Sequence, residues 1–543
     1  MHSNNITYLR RADKIYQALL RRINHLYKNA RTLKQYEEVI ALIQTAAAFI
    51  IKAPTGRFSD GSLENILLQI GQKHFSTESI TYDVKLETIQ ANIYNPNRKK
   101  TILHIVSWLP KIGGHLNLLT NYILNDKESN HSLVLTGYDF TIVNQKLKSL
   151  ISDSGGIIYF LKSKDYLSKA QELRNFTKGA FDLVILHINN NDVVPILAYA
   201  DRKLPVIAYM NHSDHLFSLG TSVSDITIDF REWGMDISKR RRNIKRPFLL
   251  PIPLNIIQSG ITKNEARKKL DIPLEQTLII SMGHRYKFIP NTQYDFFSTC
   301  AKILNMDTNV LIKIIGVGVT DDLTILNYKP HSRLELLGEI TEPMLYQIAA
   351  DYFIEPMPVG SLTALLESIG YGCYPLFKYD SPGITDTSKE PGFLQLVTSN
   401  KDENDLLDKF NVLEKQKDYR ENISQQLKAS VYNWHQGNLW KKLKEEFYYI
   451  VSSLSHEPQE KPIILSEILI EDKELTAFIY PVLFTKNHNI LLTCLYKTLK
   501  PLSIKTLLKI TPLIFKTDLD KNYITKFKNV LHLLKLKYFE YME

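Results

Sequence analysis

Cysteine is scarce in this chain: Cys300, Cys373 and Cys494 are its only three in 543 residues. They are too few and too scattered for a disulfide framework and lack the paired spacing of a zinc site, so a reducing cytoplasm is expected. Long apolar runs are missing as well. Val39 to Ile51 is the most apolar early stretch, but Gln44 and Thr45 interrupt it and it is too short to span a bilayer. The opening MHSNNITYLRRADK has no apolar signal-peptide segment. No short fixed repeat or low-complexity tract occurs, and arginine is absent beyond residue 460. These absences predict a soluble protein without a membrane span.

The remaining composition is that of a folded globular protein, 44% hydrophobic and 23% charged, and the length calls for two or more domains. The net charge of +10 is unevenly spread. Residues 1–100 carry +7 and residues 461–543 carry +5, leaving −2 for the centre. Basic flanks of this kind are either solvated helix faces or surfaces that steer anionic partners. They interleave few aromatics with their lysines and contain no recognised nucleic-acid module, so nucleic acid is not an expected partner.

Residues 7–52 show helical three- and four-residue apolar spacing. From residue 101 the character changes to short β-branched runs separated by helical stretches: 101–108, 131–137, 155–161, 182–188 and 205–211. A Pro-rich segment, 247–255, reads as a linker. A second series follows at 277–283, 309–318, 333–338, 352–358 and 374–377. Strands alternating with helices predict parallel doubly wound sheets. The chain therefore divides into a helical extension (1–95), two Rossmann-like domains (96–250 and 251–455) and a second helical extension (456–543).

Four constellations carry chemistry. Gly113-Gly114-His115 lies between a strand and an apolar helix, where backbone can approach a ligand and a helix N-terminus favours anions. It is not a G-x-G-x-x-G fingerprint, so no nicotinamide cofactor is indicated. Asn211-His212-Ser213-Asp214-His215 follows the 205–211 strand; a histidine there is a candidate general base, with Asp214 orienting its ring. His212 and His215 at i and i+3 on a helix face would also suit a metal, but no third ligand is evident. Gly283-His284-Arg285-Tyr286-Lys287 places Arg285 and Lys287 where they can neutralise a diphosphate. Finally, Gly360-Ser361-Leu362-Thr363 opens a helix in which Glu367 lies one turn inside. Free N–H groups, the helix dipole and two hydroxyls make an anion site, and a carboxylate at 367 can accept from ribose hydroxyls.

At these residues the chain resembles the GT-B glycosyltransferases, particularly bacterial enzymes of the broad family 4 type, over roughly residues 100–450. GGHLNLLTNYI resembles the family's first Gly-rich loop and helix. NHSDHLFSLG resembles a stretch found in one bacterial subgroup, and GHRYK resembles the basic turn that contacts the donor diphosphate. PVGSLTALLESIGYGCYP resembles the donor loop and helix, with Glu367 matching the ribose-binding glutamate. One departure bears on stereochemistry. Retaining members carry a first glutamate eight positions earlier, which here is Val359, whereas the Gly-Ser-x-Thr arrangement resembles inverting enzymes.

The resemblance implies two Rossmann-like domains facing a cleft and sugar transfer from a UDP- or GDP-sugar, a co-substrate, without a resident cofactor or metal. The acceptor class is a glycan, a lipid-linked hydroxyl or a protein hydroxyl, in bacterial surface glycan or glycoconjugate synthesis. His115, His212 and His215 are the candidate bases, with Asp214 in support. Gly113, Gly114, Arg285, Lys287, Gly360, Ser361, Leu362, Thr363 and Glu367 are candidate donor contacts, and Gly316 and Ile340 frame the nucleobase. A cytoplasmic site, with peripheral contact at the inner membrane face through the basic extensions, is expected. Two other readings remain open: a sugar-nucleotide epimerase of the same architecture, and a non-catalytic two-lobed binding protein.

Overall fold

The computed structural model describes residues 2–53, 55–75, 99–109, 114–137, 143–178, 180–201, 205–291, 293–380, 386–393, 396–454, 491, 494–495, 498–499 and 501–517. Three helices come first: α1 (His2–Asn29), α2 (Leu33–Lys52) and α3 (Gly61–Phe75). A capping box starts α2, in which the Thr32 side chain accepts from the Gln35 amide and Gln35 reaches back to the Thr32 backbone. Its Ala/Ile/Leu-rich middle is buried almost throughout.

Seven parallel strands form the first sheet in the order β3-β2-β1-β4-β5-β6-β7. They are β1 (Thr101–Val106), β2 (Asn130–Leu135), β3 (Ile158–Phe160), β4 (Leu183–His187), β5 (Val206–Met210), β6 (Ile226–Asp229) and β7 (Pro247–Leu249). Five parallel strands form the second, in the order β10-β9-β8-β11-β12. These are β8 (Thr277–Met282), β9 (Val310–Ile315), β10 (Leu334–Gly338), β11 (Tyr352–Ile354) and β12 (Tyr374–Leu376). Both are doubly wound, and their strands are nearly continuous apolar runs because helices cover both faces. The segment expected to be a linker contributes β7. Pro247 stands at the first residue of that edge strand, where a missing N–H costs no ladder bond.

Four further helices pack on the two sheets: α4 (Gly114–Leu124), α5 (Phe296–Met306), α6 (Leu362–Tyr371) and α7 (Lys417–His435). A long helix, α8 (Asn438–Leu454), leaves the second lobe and packs against the first. Its Lys444 pairs with Asp126 at 2.8 Å, and Tyr448 donates to Asp126 and lies 3.0 Å from the Tyr122 hydroxyl.

The N-terminal helices are part of the first lobe. Glu64 of α3 accepts from the amides of Gly220 (3.1 Å) and Ser222 (2.7 Å), and their apolar faces share one core with strands β1, β4 and β5. The described part of the C-terminal extension, including α9 (Ile504–Thr517), joins the same core. Ser503 donates to Glu38 through both backbone and hydroxyl, and Thr498 meets Thr45 at 2.5 Å. Over the described residues the apolar faces of both extensions thus pack on the first lobe's own core. None of the described helices is long and apolar enough to cross a membrane.

Candidate active site

In open α/β sheets ligands bind beyond the carboxyl ends of strands, at the point where strand order reverses. In the first sheet that point lies between β1 and β4, and α4 begins there with Gly114 and His115. In the second it lies between β8 and β11, and the segments leaving those strands are 283–288 and 355–361. Gly113 lies outside the described residues.

On the second lobe the two segments touch. A Cβ on Gly283 would lie 2.9 Å from Lys287 Cδ and 3.0 Å from Ser361 Oγ, so glycine lets the basic turn close on the start of α6. Lys287 Nζ donates to Gly360 O at 2.7 Å. Burial pushes its ammonium down to about 8, against the attraction of the Glu355 carboxylate. Ser361 is the N-cap of α6, yet its side chain makes no capping bond, leaving the helix start open to an anion. Leu362 packs its half-buried side chain on the core. Across the cleft, a Cβ on Gly114 would sit 3.5 Å from Thr363 Oγ1, so the first residue of α4 faces the first turn of α6.

Beside this lies a cavity of about 710 Å³ lined by His284, Arg285, Tyr286, Gly316, Gly318 and Gly338, among others. Gly316 has φ +92°, and a Cβ there would be 2.6 Å from Gly283 O, so only glycine closes this wall. Arg285 also donates to Asp322 O at 3.2 Å. Ile340, next to the lining residue Glu339, packs against the core. Glu367 lies further along α6, half-buried, and burial pushes its carboxyl up to about 7, opposed by a hydrogen bond from Gln347.

The first lobe's histidines separate into two groups. His115 and His212 stack with ring centroids 4.6 Å apart. Burial lowers both, His115 to about 3, and His212 Nδ1 donates to Met210 O at 3.2 Å. His215 lies 3.4 Å from Asp214, but Asp214 is taken by Arg231, whose Nε and a terminal N reach its two oxygens at 2.6 and 2.8 Å. Against the upward push of burial, Arg231 holds the Asp214 carboxyl below the usual carboxylate range. Asp214 therefore anchors Arg231 and does not orient His212. Residues 212–215 form turns, not a helix, so the shared helix face behind the metal reading does not exist.

Two groups escaped the sequence reading. Arg231 also pairs with Glu390 of the second lobe at 3.0 Å, joining the lobes through a buried Asp214–Arg231–Glu390 bridge. Glu355, directly after β11, is buried with Oε1 unpartnered among the described residues, and a Cβ on Gly360 would lie 2.2 Å from that oxygen. The lone acidic residue inside YFIEPMP was the available signal for Glu355. No local signal marks Arg231.

Two doubly wound parallel sheets with their reversal points turned to a common cleft define a bilobed α/β protein. The particular architecture is GT-B. A glycosyltransferase from Rickettsia africae superposes with a TM-score of 0.51 at 11% identity, covering 65% of this chain and 99% of that one. HepE of Anabaena, solved with UDP-glucose, gives 0.49 at 13% identity over 65% and 100%. An O-GlcNAc transferase from Thermobaculum terrenum gives 0.48 at 14% over 81% and 82%. No family model matches the chain, and no curated protein does.

Proposed function

We propose that the protein is a glycosyltransferase that binds a UDP- or GDP-sugar at the start of α6 and transfers its hexosyl group to an acceptor hydroxyl held against the first lobe. One observation carries this reading: the uncapped N-terminus of α6, with Ser361 and Thr363, faces Lys287 on one side and Gly114 of the opposite lobe on the other. Breaking the bond between sugar and diphosphate leaves negative charge on the diphosphate. Lys287, Arg285 and the helix dipole are prearranged to stabilise it, so the reaction needs no divalent ion. The Gly-lined cavity suits the nucleobase, and an ionised Glu367 accepts from the ribose hydroxyls.

Calorimetry with UDP-, GDP- and ADP-sugars tests the proposal, with EDTA present throughout. The expected result is binding of one donor class, weakened about 10- to 100-fold by Lys287→Ala, the loss of one hydrogen bond to a charged group. Binding of no donor sinks it. Turnover of a donor with no acceptor present would instead assign the site to an epimerase.

A further inference from the structure

Three histidines cross the core of the first lobe in a diagonal line. His131 on β2 stands opposite Ile102 of β1, and His187 on β4 stands opposite Val106, with His104 between those two levels. Each step moves two residues along and one strand across, so all three rings lie on one face of the sheet and climb toward its carboxyl edge. They are fully buried and bonded in series. His104 Nδ1 meets His187 Nε2 at 2.9 Å, and His104 Nε2 meets His131 Nδ1 at 3.0 Å. At the far end His131 Nε2 reaches Asp126 O at 2.8 Å and lies 3.4 Å from the Asp126 carboxylate.

Donor and acceptor logic fixes every proton in this series. A carbonyl only accepts, so His131 carries its proton on Nε2 and offers a lone pair at Nδ1. His104 must then donate from Nε2 and accept at Nδ1, and His187 must donate from Nε2. The result is a bare Nδ1 on His187, and that atom is buried without a hydrogen-bond partner among the described residues. It sits at the end of β4 behind the stacked His115 and His212, the His115 ring centroid being 6.5 Å from its own.

We propose that Asp126, His131, His104 and His187 form a proton relay whose open end, His187 Nδ1, takes the proton released by the acceptor hydroxyl. The inference rests on the glycosyl-transfer reading. The hydroxyl oxygen bonds to the anomeric carbon while the bond from that carbon to the donor phosphate breaks, and its electron pair leaves with the diphosphate. The hydroxyl proton, directly or through a hydrogen-bonded water, goes to His187 Nδ1. His187 passes its Nε2 proton to His104 Nδ1, and His104 passes its own to His131 Nδ1. The charge comes to rest as a His131 imidazolium beside the Asp126 carboxylate, which stays ionised, as the aspartate behind a catalytic histidine does.

The charges around the relay favour that end. Among the described residues His131 faces Asp126, with burial, Lys444 and Lys99 opposing it, while His187 faces His115, His212 and His104. His104 faces its two neighbours and the edge of Tyr122. His131 is thus the one ring of the three with a carboxylate beside it. The relay residues other than His187 are positioning groups that act through it.

The test reads tautomers in the full-length protein labelled with 15N-histidine. The expected result is three buried imidazoles protonated at Nε2 and bare at Nδ1, assigned by loss of one signal in each of His104→Phe, His131→Phe and His187→Phe. A proton on Nδ1 of any of the three in the resting protein overturns the relay. The second arm uses His104→Phe, which cuts the line while leaving His187, His115 and His212 in place. It should lower kcat about 100-fold, the scale of general base catalysis, with donor KM unchanged and the wild-type solvent deuterium effect lost. A folded His104→Phe protein with wild-type kcat overturns the proposal. Tautomers need no turnover, so Nδ1 protonation refutes the relay even if sugar is transferred. Failure to release nucleotide from any donor refutes the transfer step even if the tautomers are as stated.

Discussion

Glu367 shows how a single carboxyl couples burial to function. Burial raises its pKa from 4.5 to about 7, so the folded chain holds its proton in a window where the unfolded chain has lost it. Its contribution to stability is therefore greatest below the lower value and declines as pH rises between the two. Donor binding runs the other way, because the ionised form is the one that accepts two ribose hydroxyls. Donor affinity measured by calorimetry should rise several-fold from pH 6 to 7, where Lys287 stays charged, in the wild type and stay flat in Glu367→Gln. A flat wild-type profile would remove Glu367 from the donor site. His115 presents the opposite case, since burial lowers it to about 3 and keeps its ring neutral and weakly basic throughout the working range.

At the scale of elements, the site depends on two turns that close because they lack side chains. Gly316 combines φ +92° with a carbonyl 2.6 Å from any added Cβ. Gly316→Ala should cost about 1–3 kcal/mol, the usual cost of an L residue held in a disfavoured conformation, and lower the Tm in a thermal melt. Gly283→Ala meets the flexible end of Lys287 and the Ser361 hydroxyl instead, so it should leave the Tm nearly unchanged and weaken donor binding. An unaltered donor Kd in Gly283→Ala would separate this turn from the donor.

The same scale shows what could be read from the chain alone. Ten of the twelve strands were marked by apolar runs flanked by turn residues, and the helix start at Ser361 by its Gly-Ser-x-Thr pattern. The two unread strands, β6 and β7, are the four- and three-residue pieces Ile226–Asp229 and Pro247–Leu249. Thr227 and Asp229 break the apolar run of β6, and the prolines around β7 pointed to a linker. His104, His131 and His187 were invisible for another reason: each lies within an apolar strand, and only the register of β2, β1 and β4 brings them into line. Asp214 beside His215 looked like a base and its orienter, because Arg231 reaches it only through the fold.

For the whole molecule, two ionic clusters are among the contacts that tie the lobes together: Lys444 and Tyr448 of α8 on Asp126, and Arg231 on Glu390. Arg231→Met leaves Asp214 and Glu390 buried without their shared cation, and burial already pushes Glu390 up to about 7. Removing one partner of a buried pair costs about 3–5 kcal/mol, so the variant should unfold at lower urea concentration. A wild-type urea midpoint in Arg231→Met would mean the bridge does not hold the lobes. The central claim, a sugar transferase whose donor sits between Lys287 and the open start of α6, is tested most directly by nucleotide release. Wild type, Lys287→Ala and Glu367→Ala would be incubated with a panel of nucleotide-sugars and acceptors. The account predicts release from one donor class by the wild type and its loss or strong reduction in both variants. Release at wild-type rates by both variants, or release from no donor at all, would contradict it.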